Sequence, residues 1–311
     1  MTTTAVVFGE ALVDDFTTEQ IVGGAPFNVA RHLAAFMAPC LMLTRIGDDR
    51  PGQLVRAEFE RFAMSEAGLQ VDPLEETGRV LVERGPRGHR FAILPHQAYD
   101  FIEAAPALAS VKAVDPGIVY FGMLAQRNEA SRGALKAVLD AAAMANPALR
   151  FLDLNLREGQ YDERGVTRSL QAAHIVKVNE EELQVLFGWF FQVKPEDPAL
   201  RADEVHASCQ ALLQMFSLDA LIVTLGHRGS VYFGSDGQVL MQRDTPAPPF
   251  VIDTVGAGDA FAAIFLLGKM RGWPLELSLV RANEFAGAIC AIPGAVPGDM
   301  GFYDKWMTRW R

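Results

Sequence analysis

Ile175-Val176-Lys177-Val178-Asn179-Glu180-Glu181-Glu182 holds the transition on which the fold turns. A compact apolar run of strand length gives way to polar and acidic residues where a helix starts. Such a run suits a parallel strand buried on both faces. The same kind of run recurs at Ala5 to Phe8, Leu41 to Ile46, Ile118 to Phe121, Phe151 to Leu154 and Leu221 to Leu225. Between them lie stretches of helical period: Ala25 to Met37, Leu54 to Ala67, Ala134 to Ala145 and Val205 to Phe216. Repeated alternation of strand and helix is the signature of an α/β fold with a doubly wound sheet. One region breaks the rhythm. Arg79 to Arg84 and Arg90 to Leu94 are strand-like pieces joined across Gly85-Pro86-Arg87-Gly88, which predicts a hairpin. With no repeat, low-complexity tract or linker, residues 1–311 read as one domain carrying a small β insertion.

Composition narrows the class. The chain has 311 residues, half of them apolar, and a formal net charge of -10. An acidic balance opposes broad binding to nucleic acid or to an anionic membrane. Cys40, Cys209 and Cys290 form no CxxC or Cys/His cluster, which disfavours a disulfide framework or a zinc site and fits a reducing compartment. The six histidines show no ligand spacing. Met1 to Glu10 has no secretory pattern, and Ala260 to Gly268 is too short to span a bilayer, so a cytoplasmic location is expected.

The chemistry concentrates at glycine-rich turns. Asp253-Thr254-Val255-Gly256-Ala257-Gly258-Asp259 runs directly into the apolar stretch Ala260 to Leu267. Glycines before a helix let backbone N–H groups converge on an anion, and the helix dipole adds to the attraction. An acid in that first turn repels a phosphate, yet it makes sense as the acceptor of a proton from a hydroxyl attacking that phosphate. Helix capping explains the acid equally well at this level. In Gly23-Gly24-Ala25-Pro26-Phe27-Asn28-Val29-Ala30 the glycines admit close approach of a ligand, and Asn28 offers both donor and acceptor. A solvated Asn28 after a tight turn is the plain alternative. Asp14 follows the first strand. Asn179 to Glu182 and Thr224-Leu225-Gly226-His227-Arg228-Gly229 leave later strands, at the sheet edge where α/β folds bind ligands. An acid among Glu180 to Glu182 suits magnesium held through water, and a solvated helix start suits them as well. Neither a Walker P-loop nor a Gly-x-Gly-x-x-Gly fingerprint occurs.

In order along nearly the whole chain, these pieces resemble the ribokinase-like, or PfkB, family of carbohydrate kinases. The matching residues are Gly9-Glu10 with Asp14; Gly23-Gly24 with Asn28 and Ala30; Gly47-Asp48-Asp49 with Gly52; Asp153 with Asn155 and Arg157; Asn179 with Glu182; Thr224-Leu225-Gly226 with Gly229; and Asp253 to Asp259. The resemblance implies a three-layer α/β/α sandwich with a small β-sheet lid, contributed by about 78–102 and residues near 13–22. It implies ATP and Mg²⁺ as cofactors, with K⁺ in some members. Asp259 would take the hydroxyl proton, and the N–H groups of Gly256, Ala257 and Gly258 would form the anion hole. Asp14, Gly24, Asn28 and Arg157 would meet the sugar. Asn179 and Glu182 would organise Mg²⁺ and phosphate, Glu182 through water. Thr224, Gly226, Gly229 and Asn283 would line the nucleotide. Asp253, Val255 and Gly294 stand where a monovalent cation would sit.

Within the family, Gly9-Glu10, Gln97-Ala98-Tyr99-Asp100-Phe101 and Gly294-Ala295-Val296-Pro297 make the chain most similar to fructokinases. Phosphorylation of fructose is therefore the leading expectation. Another sugar, a sugar acid or a nucleoside is the alternative, and a non-catalytic sugar-binding regulator a more distant one. The Tyr-Tyr-Arg pattern of ketodeoxygluconate kinases is missing. Two departures stand out: Leu154 replaces the family's proline, and Asp15 adds a second acid beside Asp14. A homodimer is the assembly the resemblance implies.

Overall fold

The computed structural model describes residues 3–16, 19–85, 88–144, 147–192, 202–243 and 250–310. Its larger sheet contains β1 (Ala5–Phe8), β4 (Cys40–Gly47), β5 (Leu69–Asp72), β8 (Ile118–Phe121), β9 (Leu149–Asp153), β10 (Ile175–Asn179), β11 (Ala220–Thr224), β12 (Ser230–Gly234) and β13 (Val239–Gln242). The spatial order is β13-β12-β11-β10-β9-β8-β1-β4-β5. Pairing is parallel from β5 through β11. It turns antiparallel at β12 and β13. A smaller sheet sets β2 (Leu12–Asp15) between β3 (Gln20–Gly23) and β6 (Gly78–Gly85), with β7 (Gly88–Ile93) on the outside of β6.

Helices cover both faces of the large sheet, because its strands are apolar on both sides. On one face, Val6, Phe8, Val119, Phe121, Val176 and Val178 pack against five helices. These are α3 (Ala104–Val114), α4 (Glu129–Ala142), α5 (Glu163–Ala172), α6 (Glu180–Phe191) and α7 (Ala202–Phe216). On the other face, Ala5, Val7, Tyr120, Phe151, Ile175 and Ile222 meet α1 (Ala25–Ala35), α2 (Arg50–Arg61), α8 (Ala257–Arg271), α9 (Leu275–Ile289) and α10 (Asp304–Arg309). The architecture is therefore a three-layer α/β/α sandwich, as the family resemblance implies, built on the doubly wound sheet that the alternating pattern predicts.

Helix α8 is the innermost of these. Every residue from Asp259 to Gly268 is buried, which is why its sequence is apolar all round rather than striped. The sheet packs on one side of it and α1 and α9 on the others, and Lys177 of β10 lies against Gly258 in its first turn.

Local readings differ from the structure in three places. The helix expected over Leu54 to Ala67 begins at Arg50 behind the Asp49 N-cap, whose carboxylate accepts from the Gly52 N–H at 2.7 Å. It stops at Arg61, since Ala63 takes a left-handed conformation (φ 49°), and Glu66–Gly68 form a separate 3₁₀ turn. The edge strand β5 was not expected, nor was the antiparallel pair β12–β13. The predicted turn residues Pro86 and Arg87 lie outside the described residues; the flanking strands β6 and β7 pair antiparallel from Val80↔Ile93 to Gly85↔Gly88.

Phe151 carries the contact between sheet and α8. It is fully buried, stacked on Tyr120 with ring centroids 5.8 Å apart and 5.8 Å from Phe265 of α8. Truncating a buried phenyl ring leaves a cavity and costs about 3–5 kcal/mol. Phe151→Ala is expected to lose stability in that range in urea unfolding; a loss below about 1 kcal/mol would mean that α8 does not depend on this contact.

Candidate active site

The N-terminus of α8 brings the first group of predicted residues together. Gly256 is the N-cap, at φ 76°, and a Cβ there would lie 2.3 Å from the Ala295 Cβ. Only glycine fits both the conformation and the approach of that loop. Ala257 and Gly258 follow, so Asp259 stands at the third helical position. The first N–H groups of a helix have no intrahelical acceptor; of these, Ala257 makes only a long bond, 3.3 Å, to the Thr254 carbonyl.

Asp259 does not cap its helix with a side-chain bond. Its Oδ2 accepts instead from Asn28 Nδ2 at 2.7 Å, and both side chains are buried. Burial pushes the Asp259 carboxyl up to about 6; the Asn28 bond pulls it down, Asp153 raises it further, and Lys177 and Arg157 oppose the rise.

Asn28 comes from α1, which starts behind Gly24. That residue adopts φ 103°, and a Cβ on it would fall 2.5 Å from the Glu10 carbonyl oxygen. Asp14 lies beside the same turn, its Oδ2 2.9 Å from where a Cβ of Gly23 would sit. Burial raises Asp14 to about 6 against the pull of Arg157 and Arg31. Glu10 is raised to about 7, chiefly by burial, with Oε2 buried and without a hydrogen-bond partner among the described residues. Arg157 is exposed, but its charge reaches Glu10, Asp14 and Asp259.

Strand alternation settles where Asp15 goes. Successive strand residues face opposite sides, so Asp15 points away from Asp14. There it accepts from Gln20 Nε2 at 3.0 Å and lies 4.0 Å from Arg79. It is a strand-pairing residue of the small sheet. Leu154, in place of the family's proline, is fully buried in the core, and Asn155 behind it turns the chain at φ 40°.

A second group lies along the ends of β10 and β11. Asn179 and Thr224 are paired residues in the parallel register, and Thr224 pairs in turn with Ser230. Asn283, buried on α9, donates Nδ2 to Ser230 Oγ and to the Leu279 carbonyl, both at 2.9 Å. Gly226 and Gly229 bracket the 3₁₀ turn that leaves β11. Asn179 and Glu182 form a reciprocal capping box on α6, each bond 2.8 Å, and the other Glu182 oxygen accepts from the Leu156 N–H at 2.8 Å. Glu182 is buried, and burial raises its carboxyl. Glu180 pairs with Arg228 at the surface. The three glutamates thus divide, and only the third faces inward.

Asp253 gathers the remaining group. Its Oδ1 accepts from the Val255 N–H at 3.0 Å and its Oδ2 from the Gly294 N–H at 3.1 Å.

Three residues without a sequence assignment complete the site. Lys177 is buried in β10 with Nζ 2.9 Å from both Asp153 oxygens. Burial opposes its charge, yet Asp153 and Glu182 hold the ammonium above the usual lysine range. That Nζ lies 3.3 Å from where a Cβ of Gly258 would be, so a cation backs the first turn of α8. A lysine inside an apolar strand run was the available signal. Arg31 is buried and donates to Asn28 Oδ1. Glu10 is the third. A separate cavity of about 400 Å³ opens near Gln160 and Tyr161; Arg127 beside it is spent on Asp100, at 2.7 and 2.8 Å.

With this geometry in place, comparison with known proteins identifies the class. Residues 2–299 match the pfkB family carbohydrate kinase model, and the chain belongs to that family. It is a phosphotransferase acting on a sugar hydroxyl. Fructokinase-1 of Zea mays is 28% identical over 321 residues, covering 94% of this chain and 93% of that protein. A fructokinase double mutant from Vibrio cholerae O395, solved with fructose, ADP and potassium ion bound, has a TM-score of 0.76 at 24% identity and covers 94% of each chain. A putative ribokinase II from E. coli in complex with ATP and Mg²⁺ has a TM-score of 0.79 at 19% identity, covering 99% of this chain and all of that one. Among the described residues no helix is long and apolar enough to cross a membrane.

Holding Asp259 out of water works against the folded state once the acid ionises. A carboxyl raised from 3.8 to about 6 keeps its proton in the folded chain over a pH range where the unfolded chain has released it. Its contribution therefore falls as pH rises from about 4 to about 6 and stays lost above. Asp259→Asn removes that penalty. Its melting temperature is expected to exceed that of the parent at pH 8, by the equivalent of ~1–3 kcal/mol, with the difference vanishing near pH 4. Equal melting at both pH values would show that burial does not strain this acid.

Proposed function

We propose that this kinase transfers the γ-phosphoryl group of ATP to a hydroxyl of fructose, with Asp259 as the base. The observation that carries the reading is the placement of the Asp259 carboxylate, buried at the head of α8 and bonded to Asn28. The fructokinase relatives favour fructose. Another sugar of the same class is the alternative.

Asp259 would accept the hydroxyl proton as the oxygen attacks phosphorus. Asn28, Gly24, Asp14 and Arg157 would orient the sugar. A mixture of acid, amide and guanidinium suits a polyol, whose hydroxyls both donate and accept. The first-turn N–H groups of Gly256, Ala257 and Gly258 would face the charge growing on the transferred phosphate, with Lys177 reinforcing the field from behind. Thr224, Gly226, Gly229 and Asn283 would hold the nucleotide along the ends of β10 and β11. The small sheet would act as a lid that excludes water during transfer.

The donor set fits a magnesium ion carried mainly by phosphates. Among the described residues no group of three or more His, Cys, Asp or Glu side chains is arranged to hold a metal. Mg²⁺ needs only one or two carboxylates beside phosphate and water, and buried Glu182, whose two oxygens already accept from the Asn179 and Leu156 N–H groups, would reach it through water. Bound there, the ion would neutralise phosphate charge. A monovalent cation would sit near Asp253, Val255 and Gly294. Both Asp253 oxygens already accept N–H groups, so the acid would serve that ion by its charge. A kinase that draws on ATP, with three free cysteines, suits the cytoplasm.

Asp259→Asn is expected to lower turnover of fructose with Mg·ATP by several orders of magnitude while sugar binding changes little. Retained turnover would rule out Asp259 as the base. In the parent, kcat/KM is expected to climb as pH passes about 6, because the base must be ionised and burial holds its proton to that pH. A flat profile between pH 5 and 8 would contradict the assignment. A panel of fructose, ribose, other hexoses, ketodeoxygluconate and adenosine names the acceptor by Asp259-dependent ADP release.

A further inference from the structure

Arg31 lies one helical turn beyond Asn28 on α1, a position at which a surface helix would carry a solvated cation. Here the side chain is 3% exposed; both terminal nitrogens are bonded, and Nε is buried without a partner among the described residues. One terminal nitrogen reaches Glu58 of α2 at 2.5 Å. The other donates to the Val22 carbonyl of β3 at 3.0 Å and to Asn28 Oδ1 at 2.5 Å. Phe27 lies beneath the group, 4.9 Å from ring centroid to guanidinium carbon. Burying a cation costs free energy unless it is fully partnered. The Glu58 pair satisfies one terminal nitrogen and the Val22 carbonyl already accepts from the other, so the added bond to Asn28 calls for its own explanation.

Donor count supplies one. A primary amide can turn over, offering either its NH₂ or its oxygen to a neighbour, whereas arginine has donors and no acceptor. Any amide bonded to arginine must present its oxygen there and its NH₂ on the other side. On the other side of Asn28 is Asp259. We propose that Arg31 is a positioning residue for phosphoryl transfer: it fixes the Asn28 amide so that NH₂ meets Asp259, and it ties that amide to the small sheet through Val22. An amide NH₂ supports the ionised carboxylate; an amide oxygen supports the protonated one. Arg31 thereby keeps the base ready to accept a proton. This inference rests on the reading of Asp259 as the base.

The charges that act on Asp259 directly come from other elements and are untouched by a change at Arg31. They are Asp153 of β9, Lys177 of β10, Arg157 beyond β9 and Glu10 beyond β1, with the neutral hydroxyl of Tyr120 on β8 beside them. Arg31 is not among them and works through Asn28.

The test is a ¹³C NMR titration of the ligand-free protein with ¹³Cγ-labelled aspartate, in which the Asp259 signal is the one missing from Asp259→Asn. In Arg31→Gln, a side chain that both donates and accepts, the Asp259 midpoint is expected to move about one unit to higher pH. In Arg31→Lys, again a donor without an acceptor, it is expected to stay where it is in the parent. With fructose and Mg·ATP, Arg31→Gln is expected to lose about fivefold in kcat/KM at pH 6 and to recover toward pH 8. An unmoved midpoint in Arg31→Gln overturns the proposal, and so does an equal shift in Arg31→Lys. Both variants keep a polar side chain at the buried position, and the comparison between them cancels a general loss of packing. The titration uses no turnover, so failure of Asp259 as the base, seen in the activity of Asp259→Asn, is read separately.

Discussion

The hydrogen bond from Asn28 to Asp259 joins residues 231 positions apart in sequence. It requires α1 and α8 to arrive side by side with their first turns level. Both helices begin behind glycines at positive φ, Gly24 and Gly256. Both lie on the same face of the sheet, in direct contact. Everything else at the site is arranged around this pair: the ends of β1 and β9 on one flank, the Lys177–Asp153 pair behind, and the small sheet above Asn28 through Val22 and Arg31. Removing the pair would leave the glycine turns with nothing to align.

An enzyme of net charge -10 that handles a triphosphate faces an electrostatic conflict, and the site resolves it locally. Asp259 acts on Glu10, and burial raises the carboxyls of both and of Asp14 beside the turn before α1. A raised carboxyl spends part of its time neutral near pH 6, which softens the repulsion before substrate enters. The fixed cations Lys177 and Arg157 and the open N–H groups of α8 add positive potential where phosphate charge would gather. Overall charge predicts solubility and excluded partners; the local field belongs to a handful of residues.

Much of this was legible in the sequence, for reasons that differ by residue. The parallel strands were visible because a strand buried on both faces must be a continuous apolar run. The glycine turns were visible because glycine is rare where no special backbone is needed. Strand β12 offers only the three-residue apolar run Val231-Tyr232-Phe233 between Gly229 and Gly234, and β13 and β5 are four residues each, so all three read as parts of loops. Helix α2 was misplaced because the apolar stripe 54–62 shows where a helix packs and not where its Asp49 cap begins it. At the site, Asp259 and Asn28 were readable as residues but not as partners, since no local pattern encodes a contact between elements so far apart. Lys177 and Arg31 were overlooked for a shared reason: a cation in an apolar segment reads as an interruption until its buried acceptors are seen.

The same logic separates the two carboxylates at the end of β2. Asp14 and Asp15 are adjacent and chemically alike, and composition cannot rank them. Strand geometry does, because it sends one toward the glycine turn before α1 and the other toward Gln20 and Arg79. The acid facing the turn is raised to about 6 by burial, and the acid facing the strand surface has nearby donors to satisfy it. A doubled acid is therefore not a doubled function. The first is held in a state that only a polar ligand would relieve, and the second spends its charge on keeping the small sheet in register. That register is what places Val22 against Arg31, and through it the amide that serves Asp259.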